Sequence, residues 1–427
     1  MTKVVLIQPY YENIWEAIGL GFIGAYLRKH FTGDLDLSFF QGNFDTDEEI
    51  IAGCLGADVV GFSCPSPAYP HALRLAKSIK LINPDTRTVF GGWHPTALPE
   101  VAEEKYIDQI VLGEGEISFL DVVNGNTDPV VQGIKPQMDE LPWPDRKLIK
   151  NYRTVDLCES MNGLRIGSFQ CNRVCPVNCS FCAERIVTGR FNKQLNPIRS
   201  RSVDELCDEI ESVIEELNLN YFKFVDATFD ISADLVIRFC KEKIKRGITT
   251  PWECLIHASF ATEEMFEWLK KSNCNQVNVG CESGSDKILR DVGKGLKITT
   301  IARVFKWAKK YNIERRGFFL LGMPNETRED IFSTEKLIDE IDPDVVGFTI
   351  LCPYPGTDHY DPSIHKDVDW EKADEYSNDF WSTEHNTNIE LKAWQAYFKT
   401  KYDLLLCERQ EDSSQSGGFG DMREEVL

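Results

Sequence analysis

Apolar and polar positions over the first 116 residues fall into two alternating rhythms. The runs KVVLIQPY (3–10), LDLSFF (35–40), ADVVGFSC (57–64), TRTVFGG (86–92) and DQIVLGEGE (108–116) have strand length and little polar alternation. Between them GLGFIGAYLRKH (19–30), DTDEEIIAGCLG (45–56), HALRLAKSIKLI (71–82) and a stretch near LPEVAEEKY place apolar residues at helical spacing. Apolar strands separated by helices predict an α/β domain with a doubly wound parallel sheet, covered on both faces. Such sheets bind ligands beyond the carboxyl ends of their strands. That edge carries Pro9, Ser63 to Pro67, Gly91 to His94 and Gly113 to Glu116, small turn-forming residues that also punctuate any fold of this kind.

From residue 117 to about 160 the rhythm lapses, and the proline-bracketed DELPWPDRKLI (139–149) reads as a connector. A second series follows. Its strands are LRIGSFQ (164–170), YFKFVDATFD (221–230), PWECLIHASF (251–260), NQVNVGCESGS (275–285), RRGFFLLGMP (315–324) and DVVGFTILCPYPGT (344–357). Helical patterns separate them, over SVDELCDEIESVIEEL (202–217), ADLVIRFCKEKIKR, EEMFEWLKKS, TIARVFKWAKKY (300–311) and REDIFSTEKLIDEI. Six strands with intervening helices are too few for an eight-unit barrel, so the pattern predicts an open barrel with its site at the strands' C-terminal ends. Beyond 357 the chain is polar, with one helical stretch, NIELKAWQAYFKTKYDLLLCE (388–408), and a disordered-looking end, DSSQSGGFGDMREEVL. The expected organisation is a Rossmann-type domain over 1–125, a linker over 126–160, a partial barrel over 161–358 and a C-terminal helical region over 359–427.

Charge and composition narrow the function. No apolar run reaches the roughly 20 residues of a membrane span, and the N-terminus MTKVVLIQPYYENIW lacks the features of a signal peptide, which predicts a cytoplasmic protein. A formal net charge of -21 argues against a nucleic-acid partner, because it repels a polyanionic backbone. Of the 14 cysteines, four crowd into CNRVCPVNCSFC (171–182) and the rest are scattered, as suits a reducing compartment rather than a disulfide framework. Packing gives no reason for such clustering. Zinc sites usually draw on two separated halves, and no CxxC or HxH partner appears downstream. The alternative is an iron–sulfur cluster held by three cysteines with one iron left open.

Cys175, Cys179 and Cys182 form CxxxCxxC after the first strand of the second series, and in this the chain resembles the radical S-adenosylmethionine superfamily, whose fold is a partial (β/α)6 barrel. The resemblance implies that these three cysteines hold a 4Fe-4S cluster whose open iron chelates S-adenosylmethionine and reductively cleaves it to a 5'-deoxyadenosyl radical. It places Phe181 near the adenine, and Glu282 of NVGCESGSDKILRDVGKG on the bound S-adenosylmethionine. Gly322 and Pro324 of GFFLLGMPNETRED would let backbone approach the cofactor. Asp226 and Phe229 of FVDATFD are expected to face the cavity, and PYPGT (353–357) to lie near the substrate. Cys171 falls outside the motif and reads as a buried thiol. His257 stands where many relatives have an arginine; it reads first as a satisfied core histidine and second as a cavity proton donor.

The front domain, through GLGFIGAYLRK, VVGFSC, FGGWHPT and VLGEGE, resembles the subgroup of these enzymes that carries a cobalamin-binding domain. Ser63, Ser66, Gly91 and Gly92 would then let the corrin approach the backbone. The DxHxxG pattern that supplies a lower cobalt ligand is absent, since residues 42–47 read GNFDTD. His94 reads as a loop histidine capped by backbone. The resemblance implies cobalamin-dependent methylation of an unactivated carbon of a small molecule, with a flavodoxin- or ferredoxin-type electron donor. The nearest alternative is a cyclisation or rearrangement enzyme of the same superfamily with cobalamin absent or a bystander; another class is a non-catalytic cobalamin or iron–sulfur binding protein.

Overall fold

Val4, Val5, Leu6 and Ile7 are at most 1 % exposed, and their alternation explains the first sheet. Val5 and Ile7 point into one core with Ile50, Leu75 and Ile79, while Val4 and Leu6 point into another with Leu20, Leu27 and Phe119. A strand that is apolar on both faces must be covered on both. The structure, a computed structural model, describes residues 1–189, 195–376 and 378–410, with side chains described through 402.

The strands of this sheet are β1 (Thr2–Gln8), β2 (Leu35–Gln41), β3 (Val59–Ser63), β4 (Arg87–Gly91), β5 (Gln109–Leu112) and β6 (Val130–Gln132), all parallel, in the order β2-β1-β3-β4-β5-β6. The helices are α1 (Ile18–His30), α2 (Asp47–Gly53), α3 (Tyr69–Ile82), α4 (Trp93–Ala97) and α5 (Glu116–Val123), followed by α6 (Tyr152–Asn162). The chain reverses direction across the sheet at β1 and β3, the position where doubly wound folds open a crevice. The helix expected near 98–106 is instead α4 followed by a 3-10 turn, Pro99–Glu103. Pro99 disfavours helical geometry at Leu98, whose φ and ψ are -125° and 75°. The segment 117–160, read as lacking the rhythm, contains most of α5, the three-residue β6 and most of α6.

The second sheet contains β7 (Ile166–Phe169), then, after the two-residue strands β8 (Asn172–Arg173) and β9 (Arg199–Ser200), β10 (Tyr221–Phe224), β11 (Trp252–Ile256), β12 (Cys274–Glu282), β13 (Glu314–Leu321) and β14 (Val345–Ile350). Its order is β14-β13-β12-β11-β10-β7, parallel throughout, and among the described residues β14 and β7 have no further strand partner, so the barrel is open. The helices are α7 (Glu184–Thr188), α8 (Val203–Leu217), α9 (Ala233–Lys245), α10 (Glu263–Lys271), α11 (Asp286–Asp291), α12 (Ile298–Lys310), α13 (Arg328–Ile341), α14 (Pro362–His365) and α15 (Asn388–Gln410). Thr327 and Asp330 form a capping box that starts α13. The outer strand face is an aromatic core in which Phe222, Phe224, Phe229, Phe239 and Trp252 meet mostly edge to face. Helix α15 covers the edge strand: Phe398 stacks on Phe348 with ring centres 4.5 Å apart, and Gln395 donates to the Phe348 carbonyl at 3.0 Å.

The chain divides into two compact units, one of Met1–Leu157, Arg185–Asn196 and Tyr354–Ala373, the other of Cys158–Glu184, Pro197–Pro353 and Asp374–Leu427. Residues 126–157, expected as a connector, thus pack with the first unit. Among the described residues no helix is long and apolar enough to cross a membrane. The tail expected to be disordered, 412–427, lies outside the described residues.

Candidate functional site

The cysteine loop leaves β7 at Phe169 and is anchored at once. Both oxygens of Asp226, at the end of β10, accept from the Cys171 N–H at 3.2 and 3.1 Å, and one accepts from the Asn172 N–H. Burial pushes the Asp226 carboxyl up to about 7, partly offset by these backbone donors. Asp226 therefore positions the loop. Cys171 is buried, and its carbonyl accepts from Arg201 N–H at 2.9 Å, in keeping with a structural thiol. Next comes Val174 with φ 81°, a conformation that a β-branched residue adopts only when its surroundings impose it.

Cys175, Cys179 and Cys182 are not in disulfides, Cys179 buried and the other two partly exposed. Burial pushes Cys179 up to about 11; Lys294 opposes the rise while Glu282 and Cys175 add to it. Cys182 is driven upward by burial and by Glu184, Cys179 and Cys175. Three such thiols ionise together only beside added positive charge, which iron supplies. No three Cys, His, Asp or Glu side chains among the described residues converge on one metal ion. A cluster does not need that, because each cysteine binds a different iron. The donor set fits a cluster better than zinc.

A ledge after α11 braces the loop. Ser180 N–H donates to the Val292 carbonyl at 2.9 Å, and at Gly293, with φ 69°, a Cβ would lie 2.6 Å from the Asn178 carbonyl oxygen. Only glycine fits there. Phe181, next to Cys182 in the chain, packs against the apolar cluster of Ile288, Val292, Leu320, Met323 and Leu351. At the end of β12 the register with β13 slips between Gly280 and Glu282, and Glu282 adopts φ 62°. Its carboxylate accepts from Lys294 Nζ at 2.7 Å, in space that Gly280 leaves open, since a Cβ there would lie 2.7 Å from both atoms. Burial would lower the Lys294 pKa, but Glu282, Cys179 and Cys182 together hold it above the usual lysine range. A buried cation thus stands beside the thiols.

Lys294 is the residue sequence reasoning missed; its one signal was a lysine between two glycines in DVGKG. His257 is satisfied, as its first reading held. Its Nε2 donates to the Lys294 carbonyl at 3.1 Å, which leaves Nδ1 to accept from the Ser259 hydroxyl at 2.6 Å. Burial, with Lys294 nearby, lowers its pKa to about 4. Phe229 corrects an expectation: it is fully buried and stacked on Phe224 at 4.1 Å in the outer aromatic core, because that face meets α9. Gly322, φ 85°, is hemmed in by its own unit, for a Cβ would lie 2.9 Å from Leu391 and 3.0 Å from Trp381 Nε1. The Gly322 N–H donates to Glu326 and its carbonyl accepts from Trp381. Pro324 follows in the same turn.

In the first unit the strand ends are sealed by backbone. Ser63 and Gly91 are register partners, Cys64 N–H donates to the Gly91 carbonyl at 2.8 Å, and His94 N–H donates to the Cys64 carbonyl at 3.0 Å. Gly92, φ 95°, brings its backbone so close that a Cβ would lie 2.9 Å from Cys64 N. Ser66 Oγ meets His94 Nδ1 at 3.0 Å, the His94 ring stacks on Tyr69 at 4.1 Å, and burial lowers the His94 pKa to about 4. His71 of α3, which carries no signal in the sequence, accepts from the Tyr10 N–H at 2.7 Å and meets Asp47 at 2.8 Å, tying the start of α2 and the loop after β1 to α3. Ser63, Gly91 and Gly92 therefore share one partly exposed strand-end patch of small, neutral, backbone-rich surface, which suits an amide-fringed ligand, while Ser66 lies buried beside it on His94.

Comparison with known proteins agrees with both units. Residues 170–338 match the family model of the radical SAM superfamily, and residues 5–123 that of the B12 binding domain. An uncharacterized methyltransferase of Pyrococcus horikoshii is 28% identical over 392 residues, 84% of this chain and 82% of that one. The anaerobic magnesium-protoporphyrin IX monomethyl ester cyclase of Rubrivivax gelatinosus is 26% identical, over 83% of this chain and 69% of the other. Among solved structures, the radical S-adenosylmethionine methyltransferase TsrM of Kitasatospora setae, with cobalamin and a 4Fe-4S cluster bound, superimposes with a TM-score of 0.68 at 16% identity, over 84% of this chain and 74% of that one.

Proposed function

We propose that this chain, a radical SAM protein with an N-terminal B12-binding domain, is a cobalamin-dependent methyltransferase acting on an unactivated carbon of a small molecule. The observation that carries the reading is the braced loop of three cysteines, none in a disulfide, beside the Lys294–Glu282 pair, in a chain that also has the B12-binding domain. The methyltransferase names of its relatives support the same choice. When bound, the cluster supplies the electron that cleaves S-adenosylmethionine to the 5'-deoxyadenosyl radical, and cobalamin supplies the methyl group.

The chain's own residues have distinct tasks in this account. Cys175, Cys179 and Cys182 hold three irons, and Asp226 and Gly293 hold the loop in the shape that offers them. Phe181 presents an apolar ring for the adenine. Glu282 and Lys294 set opposite charges at the strand end, where an amino acid's ammonium and carboxylate groups find complementary partners. Gly322 and Pro324 shape the neighbouring turn. In the first unit Ser63, Gly91 and Gly92 form the cobalamin-facing edge, with Ser66 buried beside it. The functional modules are 1–125 and 161–358, with 126–157 packed onto the first. The electron donor is a flavodoxin- or ferredoxin-type protein, and the cytoplasm is the setting that keeps these thiols reduced.

The test is anaerobic incubation of the reconstituted protein with S-adenosylmethionine carrying a trideuterated methyl group, a reductant, hydroxocobalamin and a small-molecule extract. The proposal expects cobalamin absorbance to stay with the protein through desalting and the label to enter a product. A cyclase relative at 26% identity favours one second reading, ring closure, for which deoxyadenosine forms and no label is transferred.

A further inference from the structure

Strand β13 begins with two arginines of opposite fate. Arg315, on the outer face, donates to both oxygens of Asp344 at 2.7 and 2.9 Å. Arg316, on the inner face, is 7% exposed, and its side chain forms no hydrogen bond or ion pair with any described residue; its Nε is buried without a partner. Its guanidinium only leans over the Phe318 ring, 5.2 Å from the centroid. A buried, unpaired guanidinium is costly and is normally matched by an anion.

The neighbouring groups do not supply one. Register places Asn278 of β12 on one side of Arg316 and Val345 of β14 on the other. Asn278 is occupied with Gln276 at 2.7 Å and Glu253 at 3.5 Å, and Glu253 also accepts from the Tyr221 hydroxyl at 3.2 Å. Glu314, two residues below on the same face, feels Arg316 only through space; burial, with Asp344 and Glu253, pushes it up to about 7.

Above this floor the inner face is open. Lys223, Leu255, Phe318, Val345, Gly347 and Thr349 all lie on it and are partly exposed, whereas their outward neighbours Phe222, Trp252, Phe319 and Phe348 are buried. At Gly347 a Cβ would lie 2.9 Å from the Phe318 ring, so the glycine gives that ring its place on the wall. The barrel interior is thus a lined space with an aromatic and aliphatic wall and one unmatched fork of N–H donors at its base.

We propose that Arg316 is the anchor for a carboxylate of the enzyme's small-molecule substrate, with Leu255, Phe318, Val345 and Gly347 receiving its apolar body. This deepens the assignment of the second unit as a radical enzyme and rests on that reading. A planar guanidinium takes a carboxylate through two parallel hydrogen bonds, a geometry that a lysine or amide does not reproduce. The substrate class is an apolar or aromatic acid, oriented with its acid group toward the floor and its reacting carbon toward the strand ends.

Calorimetric titration of the reconstituted protein with 2-naphthoate and with its neutral isostere 2-naphthamide tests this without turnover. The wild type is expected to bind the acid about tenfold or more tightly than the amide. Arg316→Gln should erase the preference and Arg316→Lys should restore part of it. Equal affinities for acid and amide, no binding of the acid, or an undiminished preference in Arg316→Gln would overturn the proposal. The comparison of the two ligands on wild-type protein decides the matter even where the glutamine variant does not fold. Formation of 5'-deoxyadenosine reports separately on the radical reading, so the two can fail independently.

Discussion

Under the proposed function the two units face one task, holding a large cofactor at the carboxyl ends of parallel strands, and meet it with opposite chemistry. In the first unit the patch beyond β3 and β4 is neutral: glycine backbone, serine hydroxyls, and a histidine kept uncharged by burial and paired with Ser66. In the second it is charged and strained, with three thiols, a buried Lys294–Glu282 pair, and left-handed backbone at Val174 and Glu282. The first edge is complete as it stands, whereas the second holds thiols that repel one another once ionised. The difference teaches that a neutral ligand needs only shape, while a metal cluster requires the protein to store charge and strain in advance.

The largest expected effect falls on the charged edge. Lys294→Met leaves Glu282 buried without its partner and should cost about 3–5 kcal/mol, read as a fall in unfolding temperature and in iron retained. The double variant with Glu282→Gln should recover most of that stability. An unchanged single variant would show that the pair does not matter and would weaken the contrast between the edges.

Acid and base should act on the units differently. His94 titrates near 6.5 when exposed and about 4 when folded, so its contribution is fully present above 6.5 and is lost as the pH falls toward 4. That amounts to about 3 kcal/mol. Asp226 runs the other way: with a folded value of about 7 against 3.8, its contribution is complete below 3.8 and lost as the pH rises through 7, about 4 kcal/mol in all. Peptide-resolved hydrogen exchange between pH 5 and 8 should show protection falling with rising pH around residues 171–173 and not around 63–66. Asp226→Asn should flatten that loss.

A smaller pair of substitutions separates the sites. Gly293→Ala and Gly92→Ala each put a Cβ against backbone at a positive φ, at a cost of about 1–3 kcal/mol. The first should reduce cluster loading and leave cobalamin retention intact, and the second should do the reverse. Both losses in either variant would mean that the two edges are not independent.

The architecture was readable because long strands such as those around Val4–Ile7 and Arg316–Leu321 are apolar on one or both faces, and their spacing survives in the sequence. The loop cysteines were readable because a reactive motif is local. Elements such as β6, with three residues, and the turn at Pro99 have too few positions to set a period. Phe229 was misjudged because a residue just past a strand end can face either layer, and only packing on Phe224 and Phe239 decides. Lys294 carries no local signature beyond its two flanking glycines, and Arg316 carries none. The role of the first comes from a partner twelve positions away and that of the second from the absence of one, and both are properties of three-dimensional neighbourhood.

The central claim is that the thiol loop and its charged surroundings bind a cluster able to cleave S-adenosylmethionine. Mass-spectrometric detection of 5'-deoxyadenosine, after anaerobic reconstitution and addition of S-adenosylmethionine and dithionite, tests it most directly, with Cys179→Ala as the paired sample. The account predicts deoxyadenosine from the wild type and only background from the variant; equal amounts from both, or none from wild-type protein with its cluster intact and 2-naphthoate present, would contradict it.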